Sequence, residues 1–293
     1  MGMQVIIFIQ AVVNGIMIGG IYALVAVGLT LIFGVMDVVN FAQGEFVMLG
    51  MFVTYLLHLL LGLDPTVSII IALPIMFCLG ALVQKTLIAR VVGLPHESQI
   101  LLTLGISVLL MNLTLLIMGA DPHSIQTSYK FSSIQIGPIL IMLPRFIAFA
   151  VAMVASIILW LFLSRTELGR GLRAVAEKPE VAILMGINPK KMHWLAFGVG
   201  IALAGVAGTV VTPFRYIYPN VGQVYVLIAF VIVVLGGMGD IPGAILGAFV
   251  IGVTESLTSQ YVALDLAMLG PYIIFILVLL FKPTGILGKG RAY

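Results

Sequence analysis

Long stretches of this 293-residue chain carry no charged side chain, and their spacing constrains the fold more than any other feature. A helix needs about 20 apolar residues to cross a hydrocarbon core about 30 Å thick. Only 9% of the residues are charged, against about 25% in an average soluble domain, and 62% are hydrophobic, which excludes a soluble enzyme and a disordered chain. The chain is therefore predicted to be an all-α, polytopic integral membrane protein. The uncharged stretches are 1–36, 46–63, 65–84, 98–120, 146–164, 192–214, 216–239 and 266–281.

We expect eight to ten membrane spans, because the first apolar segment can be divided in two ways. At about 1.5 Å per residue, residues 4–34 would form a helix roughly 45 Å long. This segment is either one tilted span with an interfacial start or two short spans that turn near Gly19 and Gly20. The predicted segments are 4–34, 43–61, 66–89, 99–119, 139–163, 192–214, 222–237, 243–260 and 266–281, within a single transmembrane domain over 1–293.

The basic residues divide unequally between the two sides of these spans. Of the 14 Lys and Arg residues, only Lys130, Arg145 and Arg215 fall on one side. The positive-inside rule assigns the other side, with 11 basic residues, to the cytoplasm. The C-terminus is therefore predicted to be cytoplasmic, while the side of the N-terminus depends on how the first segment is divided. The 11 residues are Lys85, Arg90, Arg165, Arg170, Arg173, Lys178, Lys190, Lys191, Lys282, Lys289 and Arg291.

Motifs for catalysis are missing from the sequence. The histidines are scattered without H-E-x-x-H spacing, and there is no G-x-x-x-x-G-K-[ST] phosphate loop, G-x-S-x-G elbow or G-x-G-x-x-G fingerprint. The single cysteine, Cys78, excludes an intrachain disulfide and a thiolate metal cage, and its apolar neighbours predict a packed, inert thiol. No basic face is present for nucleic acid. We therefore expect neither an enzyme nor a metal site in this chain.

A cytoplasmic loop at 165–191 holds nine of the 25 charged residues. Lys178 precedes Pro179, which disfavours helix at position 178 and suits the first turn of a new helix. A short helix is predicted over 180–185. Gly186 ends it by allowing a left-handed conformation, and Asn188 followed by proline blocks its continuation.

Two segments outside the spans are candidate protein contacts. The short helix carries an apolar stripe that it cannot bury by itself, at Val181, Ile183, Leu184 and Met185. This stripe either docks into another protein or lies on the bilayer surface between basic flanks. The longest loop on the opposite side, 120–138, is either an ordered docking surface or a plain connector.

Polar residues inside the apolar segments are candidates for a translocation pathway. Hydroxyl and amide groups in membrane helices also bond to their own backbone or across helices, so a structural role remains open for each. Glu255 is the acid most deeply embedded in an apolar stretch, and it is either paired, near the outer interface or functional. The candidates are Asn14, Asn40, Gln43, Glu45, Thr103, Ser107 and Glu255.

Small residues at helical spacing predict close helix packing. Pro242 beside Asp240 indicates an interrupted helix, and residues 40–45 interrupt the apolar pattern in the same way. Interrupted helices expose backbone dipoles that could line a pathway for a zwitterion, whereas ordinary cytoplasmic turns would explain both positions equally. The packing and break candidates are Gly200, Gly208, Gly237, Gly239, Pro242, Gly243 and Gly247.

The sequence resembles a family of ABC-importer permeases in four motifs that stand in matching order over nearly the whole chain. Glu180-Val181-Ala182, followed by Gly186, is similar to the Glu-Ala-Ala-x-x-x-Gly loop of such permeases, with Val in place of the first Ala. The other motifs are N-F-A-Q-G-E at 40–45, G-G-M-G-D-I-P-G-A at 236–244 and K-P-T-G-I-L-G at 282–288. Together they resemble the branched-chain amino acid permeases of the LivH type (LivH/LivM family).

This resemblance implies a bacterial inner-membrane permease that imports branched-chain amino acids by alternating access. The implied partners are a second homologous permease, two cytoplasmic ATPase subunits that bind ATP and Mg²⁺, an external solute-binding protein and membrane lipid. The implied contact with the ATPases lies in the 165–191 loop, which then acts as the coupling loop. The implied contact residues are Glu177, Pro179, Glu180, Ala182, Gly186, Ile187 and Asn188.

Other transport classes remain as alternatives. An ion-coupled secondary transporter would place acids or bases at mid-membrane depth, whereas most acids here fall in predicted loops. A channel would need a filter or a charge ring, and neither is recognisable. Within the resembled family, an importer of urea, amides or aromatic acids is a further alternative, because the sequence does not identify the solute.

Overall fold

The computed structural model describes residues 2–282 and 284–287. Pro283, Gly288 and the predicted cytoplasmic residues Lys289 and Arg291 lie outside this part of the chain. The described residues form eleven α-helices and one β-hairpin, and the all-α prediction is confirmed. The helices are α1 (Gly2–Met36), α2 (Gln43–Leu61), α3 (Pro65–Thr86), α4 (His96–Met118), α5 (Leu143–Arg165), α6 (Glu167–Glu177), α7 (Pro179–Leu184), α8 (Pro189–Val211), α9 (Gly222–Gly236), α10 (Ile241–Tyr261) and α11 (Leu269–Phe281).

Nine of these helices, all except α6 and α7, belong to segments long and apolar enough to cross a membrane, within the predicted eight to ten. Three of the nine segments include a short 3-10 turn beside the α-helix: Pro65–Arg90, Pro219–Gly236 and Leu264–Phe281. α1 and α8 are the most deeply buried, while α4 and α11 expose most of their surface. The core of the bundle is therefore built around α1 and α8.

The first helix is continuous, so the predicted division into two short spans is wrong. At about 1.5 Å per residue, the 35 residues of α1 extend about 52 Å. The two glycines that suggested a turn serve helix packing instead, because Gly19 lies against the α10 backbone at Ala248 and Gly20 lies against the ring of Phe149 in α5. The two adjacent glycines thus allow α10 and α5 to approach α1 closely on two sides.

Helices α2, α3 and α8 are packed against one another through small residues. α3 runs antiparallel to α8, since Gly80 meets Ile201 and Met76 meets Gly205. α2 contacts the C-terminal half of α8, where the hydroxyl of Thr54 lies 2.9 Å from that of Thr209. These contacts place both ends of α3 and α8 side by side.

The loop between α4 and α5 is ordered and contains the only strands in the described residues. β1 (Ser133–Ile136) and β2 (Ile139–Met142) pair antiparallel, so the helix predicted from residue 139 begins instead at Leu143. Tyr129 donates a 2.9 Å hydrogen bond to Asp64 ahead of α3, and burial raises the pKa of this phenol, so it remains a donor at neutral pH. The Gln10 amide of α1 bonds the backbone of Leu140 on both sides.

Candidate functional site

The chain leaves its first helix and enters the second through a polar break inside the bundle. We call residues 37–42 the first break. Within it, Asn40 is fully buried, its Nδ2 donates to Gln43 Oε1 at 3.1 Å, and its Oδ1 accepts from the Ala42 amide at 3.1 Å. Gln43 Nε2 in turn reaches the carbonyls of Val25 at 3.5 Å and Gly200 at 3.4 Å. Gly200 is the midpoint of α8, so the break extends to the middle of the bundle.

A buried acid follows the first break directly. Glu45 is 1% exposed, and its Oε1 accepts a 3.1 Å hydrogen bond from Ser107, the midpoint of α4. Its Oε2 has no hydrogen-bond partner among the described residues. One turn along α4, the hydroxyl of Thr103 lies 3.1 Å from the Val39 carbonyl of the break. A carboxylate held at this depth with one free oxygen is a strong candidate for contact with a charged solute.

The first residue of α9 lies against this acid. A Cβ on Gly222 would stand 2.5 Å from Glu45 Oε2, and a Cβ on Gly44 would stand 2.0 Å from the Gly222 carbonyl oxygen. Only glycine at both positions lets the amino ends of α2 and α9 come this close. With 15 residues, α9 is about 22 Å long, which is shorter than the hydrocarbon core of about 30 Å. Two helices therefore begin side by side within the bundle, with their positive ends near the carboxylate.

The sequence singled out five of these residues and missed two. Asn40, Gln43, Glu45, Thr103 and Ser107 meet at one place, although they come from two separate segments, 40–45 and 103–107. Gly44 and Gly222 were not selected, because the sequence does not indicate which helix a glycine contacts. That contact is visible only in the packed structure. Asn14 lies elsewhere, half-buried on α1 next to the contact of Gly15 with α10.

Glu255 forms a second polar cluster, on α10. It is 7% exposed, and its Oε2 has no hydrogen-bond partner in the described chain. The Tyr22 hydroxyl and the guanidinium groups of Arg215 and Arg145 interact electrostatically with the carboxylate. Neither guanidinium approaches within 4.0 Å of it in the part of the chain described. Two of the three basic residues on the sparsely charged side thus surround a buried acid without forming an ion pair, and no pattern in the sequence joins these three residues.

The short helix predicted in the charged loop is present as α7, with its stripe exposed. Lys178 is extended, and Pro179 starts the helix. Gly186 follows it in the left-handed region at φ +79°. Ala182 is buried and its carbonyl accepts a 3.0 Å bond from the Ile187 amide. The exposed fractions of the apolar side chains are 50% for Val181, 56% for Ile183, 85% for Leu184 and 78% for Met185.

The remaining predicted coupling residues flank α7. Glu177 ends α6, and Glu180 is exposed in the first turn of α7. Asn188 caps α8, accepting from the backbone amides of Lys190 at 3.0 Å and Lys191 at 3.4 Å. Helix α6 is fixed to the bundle, because Gly169 packs against the α5 backbone while Leu172 and Val175 are buried. α7 is therefore an exposed apolar helix mounted on a rigid support.

The second set of small residues mainly brings helices together. We call residues 237–240 the second break. It joins α9 to α10 in a turn where Gly239 has φ +85°, Asp240 caps α10 and Pro242 stands in its first turn. Gly237 also has a positive φ, of +105°. The closest approaches for an added Cβ are 2.7 Å from the Gly28 carbonyl at Gly200, 2.1 Å from the Val47 carbonyl at Gly208, 2.1 Å from the Gly236 carbonyl at Gly243 and 3.1 Å from the Ile232 carbonyl at Gly247.

The prediction that Cys78 is packed is wrong, because its side chain is exposed. The apolar residues around it in sequence face lipid as well as core. Among the described residues, no group of three or more His, Cys, Asp or Glu side chains is placed to hold a metal ion.

Comparison with known proteins gives a match over nearly the full length. The profile of the family described as "Branched-chain amino acid transport system / permease component" matches residues 11–279. The chain is 32% identical to the high-affinity branched-chain amino acid transport system permease protein LivH of Salmonella typhimurium, over 99% of this chain and 98% of that protein. It is 31% identical to the corresponding protein BraD of Pseudomonas aeruginosa, over 96% of each chain.

A shorter match joins the chain to a second permease of the same system. It is 31% identical to LivM of Escherichia coli, over 44% of this chain and 30% of that protein. No solved structure matches the chain.

Proposed function

The chain belongs to the family of branched-chain amino acid transport system permease components, and from this premise we propose that it is the permease subunit of an ATP-driven importer of branched-chain amino acids. The observation that carries the proposal is the likeness to LivH over 99% of the chain. A match over this length includes the membrane spans as well as the loop that contains α7, so the likeness is not limited to one part of the subunit. The ion-coupled secondary transporter and the channel are not favoured by it.

The subunit works with partners in this proposal. It pairs with a second, homologous permease, which the likeness to LivM supports. Two ATPase subunits bind ATP and Mg²⁺, since the sequence itself has no phosphate-loop motif. A solute-binding protein delivers the amino acid on the opposite side, where the β-hairpin loop is the largest ordered surface outside the spans. The exposed stripe of α7 supports a docking role, because four large apolar side chains in solvent would otherwise be unfavourable.

We place the protein in the bacterial cytoplasmic membrane with α6, α7 and the C-terminus inside the cell. The distribution of 11 against three basic residues supports this orientation. With nine spans, α1 then begins outside, and the first and second breaks both open from the cytoplasmic side. The solute-binding protein meets the face that carries Arg145, Arg215 and the hairpin, which directly precedes α5.

The pathway in this proposal runs between the two polar clusters. An amino acid carries an ammonium and a carboxylate, and both must be compensated when water is removed. The free oxygens of Glu45 and Glu255 suit the ammonium, and the guanidinium groups of Arg145 and Arg215 suit the carboxylate. Closure of the ATPases moves α7 and, through the rigid α6 support, switches which side is open.

Purification of the intact assembly tests the proposal directly. We expect a second permease and two ATPases to co-purify with this chain, and the purified assembly in proteoliposomes to accumulate leucine, isoleucine or valine only with ATP and a loaded binding protein. Accumulation driven by a proton or sodium gradient without ATP would overturn it. Uptake of urea, amides or aromatic acids alone would retain the importer and replace the solute.

A matched pair of glycine variants tests the coupling helix. Gly186 and Gly62 both have positive φ, +79° and +65°, and neither has a heavy atom within 4 Å of an added Cβ. Gly186→Val and Gly62→Val therefore impose similar backbone strain of about 1–2 kcal/mol at different ends of the molecule. We expect only Gly186→Val, and likewise Glu180→Lys, to lose solute-stimulated ATPase activity while still inserting in the membrane. Equal loss in both glycine variants would contradict the coupling role.

The carboxylate at the first break is tested by removing its charge. Glu45→Gln keeps the acceptor for Ser107 and should leave folding intact, whereas uptake should fall by at least about tenfold, since a charged hydrogen bond is worth about 1.5–3 kcal/mol. Glu97→Gln, an exposed acid at the start of α4, is the control. Normal uptake by Glu45→Gln would make this acid structural.

A further inference from the structure

A large groove opens between α3 and α8, at the end of the bundle that carries most of the basic residues. Its volume is about 1030 Å³. It lies outside both polar clusters described above and does not include any residue assigned to the solute pathway. Its walls are Phe77, Cys78, Ala81, Leu82, Gln84, Lys85, Ala89 and Val92 on one side and Asn188, Lys190, Lys191, His193 and Trp194 on the other.

The groove is basic at its mouth and apolar further in. Because α3 and α8 are antiparallel, Lys85 in the last turn of α3 stands beside Lys190 and Lys191 in the first turn of α8. All three lysines are exposed, and none of the lining residues is acidic. Cys78 lies two turns before Lys85, or about 10 Å deeper at about 1.5 Å per residue. The three ammonium groups therefore form a cationic rim above an apolar wall.

An aromatic pair lines the groove below the lysine rim. Trp194 is half-buried one turn beyond the lysines of α8, and its ring meets Phe77 edge-on with centroids 6.2 Å apart. Tryptophan prefers this level of a membrane, where its ring is in contact with acyl chains and its N–H with the headgroup region. The backbone amides of Lys190 and Lys191 are already used by the Asn188 cap, so their ammonium groups are the free donors.

We infer that this groove is a binding site for an anionic phospholipid, with the headgroup phosphate at Lys85, Lys190 and Lys191 and an acyl chain along Phe77, Cys78 and Leu82. Basic pockets between membrane helices on the cytoplasmic side are suited to anionic headgroups, because lysine binds phosphate as a point charge and the cytoplasmic leaflet is negatively charged. A free phosphate would satisfy the rim and leave the apolar wall uncovered.

The site also touches the coupling segment. Asn188, a wall residue of the groove, follows α7 by four residues and caps α8. A lipid held here would lie directly beside the segment that joins α7 to α8. The site rests on the proposed orientation only for the choice of leaflet. Lipid binding is measured without transport, so its failure can be distinguished from a failure of the uptake experiment.

The two tryptophans of the chain allow a direct test. In Trp160→Phe, Trp194 is the only tryptophan, and the full chain is placed in phosphatidylcholine nanodiscs that contain either brominated phosphatidylglycerol or brominated phosphatidylcholine. We expect the anionic lipid to quench Trp194 at a lower mole fraction, by about fivefold for each lysine in contact with its headgroup. In Trp194→Phe, the remaining Trp160 is 58% exposed on α5 and should be quenched equally by both lipids.

Neutralisation and competition identify what is recognised. Lys85→Gln, Lys190→Gln and Lys191→Gln combined should abolish the preference for phosphatidylglycerol at Trp194. Inorganic phosphate at the same total charge should not displace the lipid, and displacement would overturn the site in favour of a free-anion site. Equal quenching by both lipids, or no quenching by either, would also overturn it.

Cys78 provides a test on protein that is already folded. It is the single cysteine of the chain and it is exposed in the groove. Attachment of N-cyclohexylmaleimide to Cys78 of the folded protein should remove the anionic preference at Trp194, because the non-fluorescent cyclohexyl group occupies the acyl-chain position. Cys78→Ser treated with the same reagent should keep the preference. A preserved preference after complete labelling would overturn the assignment of this groove.

Discussion

The first and second breaks resemble each other in sequence and differ in what surrounds them. Each interrupts two long apolar segments and contains one aspartate, Asp37 or Asp240, but only the first break has an amide side chain and only the second has glycines. The first break is held by buried amides that reach the midpoint of α8 and leads to a buried acid at the midpoint of α4. The second is a turn at the ends of α9 and α10, where Met238 and Gly239 are exposed. An interruption in hydrophobicity therefore does not by itself indicate its depth.

The difference has a physical cause in the satisfaction of polar groups. A broken helix inside a bundle must satisfy its backbone groups with protein, because water is scarce there. Asn40 and Gln43 supply these partners at the first break. At the second break, Asp240 caps the Gly243 amide, and Met238 and Gly239 are exposed. A buried amide network thus distinguishes the first break from the second.

The largest expected contrast is in chemical accessibility. In a Cys78→Ser background, Met238→Cys replaces a residue that is 55% exposed, and Ala42→Cys replaces one that is fully buried. We expect a membrane-impermeant maleimide with access to the basic side to label Met238→Cys completely and Ala42→Cys not at all. Both should react after unfolding in detergent, which is the control. Rapid labelling of folded Ala42→Cys would show that the first break is open to water.

The next largest effect is expected at Gly44. A Cβ there meets the Gly222 carbonyl oxygen at 2.0 Å, so Gly44→Ala must separate α2 from α9. Overpacking costs about 1–3 kcal/mol, and we expect the upper end because the neighbour is backbone. Thermal unfolding in detergent measures the loss of stability.

Two glycines provide controls for that experiment. Gly105 in α4 has no heavy atom within 4 Å of an added Cβ, and Gly105→Ala should be neutral or stabilising. Gly239 at the second break has its nearest contact at 3.4 Å, so Gly239→Ala should cost only backbone strain of about 1–2 kcal/mol. If Gly44→Ala is no worse than Gly105→Ala, the two helix ends are not in close contact.

A smaller effect is expected from the amide network. Asn40→Ala removes the hydrogen bonds to Gln43 and to the Ala42 amide, and leaves buried groups without partners. The cost of such a group is about 1–3 kcal/mol. Unfolding in denaturant, followed by tryptophan fluorescence, should show this loss with the protein still folded in detergent. An unchanged midpoint would mean that water replaces the amide, as it does at a surface.

The smallest effect is expected at the cap of the second break. Asp240 accepts a 2.8 Å hydrogen bond from the Gly243 amide, and loss of an N-cap side chain costs about 1 kcal/mol. Asp240→Ala should therefore lower stability by about that amount, and Asp240→Asn should restore most of it. If Asp240→Ala costs more stability than Asn40→Ala, the second break depends more on its polar side chain than the first, which contradicts the expected order.

Much of the fold could be predicted from residues alone. The predicted span 43–61 coincides with α2, and the end of α6, the start of α7 and the left-handed Gly186 follow from the order Lys-Pro and from a single glycine. These features depend on local chemistry, namely the length of apolar runs and the backbone limits of proline and glycine. The alternative of two short spans that turn near Gly19 and Gly20 was wrong, because these glycines allow close helix packing instead.

The candidate site was predictable only in part. Asn40, Gln43, Glu45, Thr103 and Ser107 stand out as polar residues in apolar surroundings, and the sequence selects them on that basis. Their meeting point is not encoded locally, and neither is the convergence of Arg145 and Arg215 on Glu255. The exposure of Cys78 was also not predictable. An apolar helix in a membrane has no polar face in its sequence that would identify its exposed side.

The sequence by itself determined that this chain is a polytopic helical membrane protein, which side of it is basic, and where a short exposed helix interrupts the spans. These conclusions follow from the cost of placing charge in hydrocarbon, which acts on each residue separately. Only the tertiary structure decided which break is buried, which glycines touch and which lysines share a groove. Those outcomes depend on contacts between helices distant in sequence, and the bilayer imposes no order on such contacts until the helices pack.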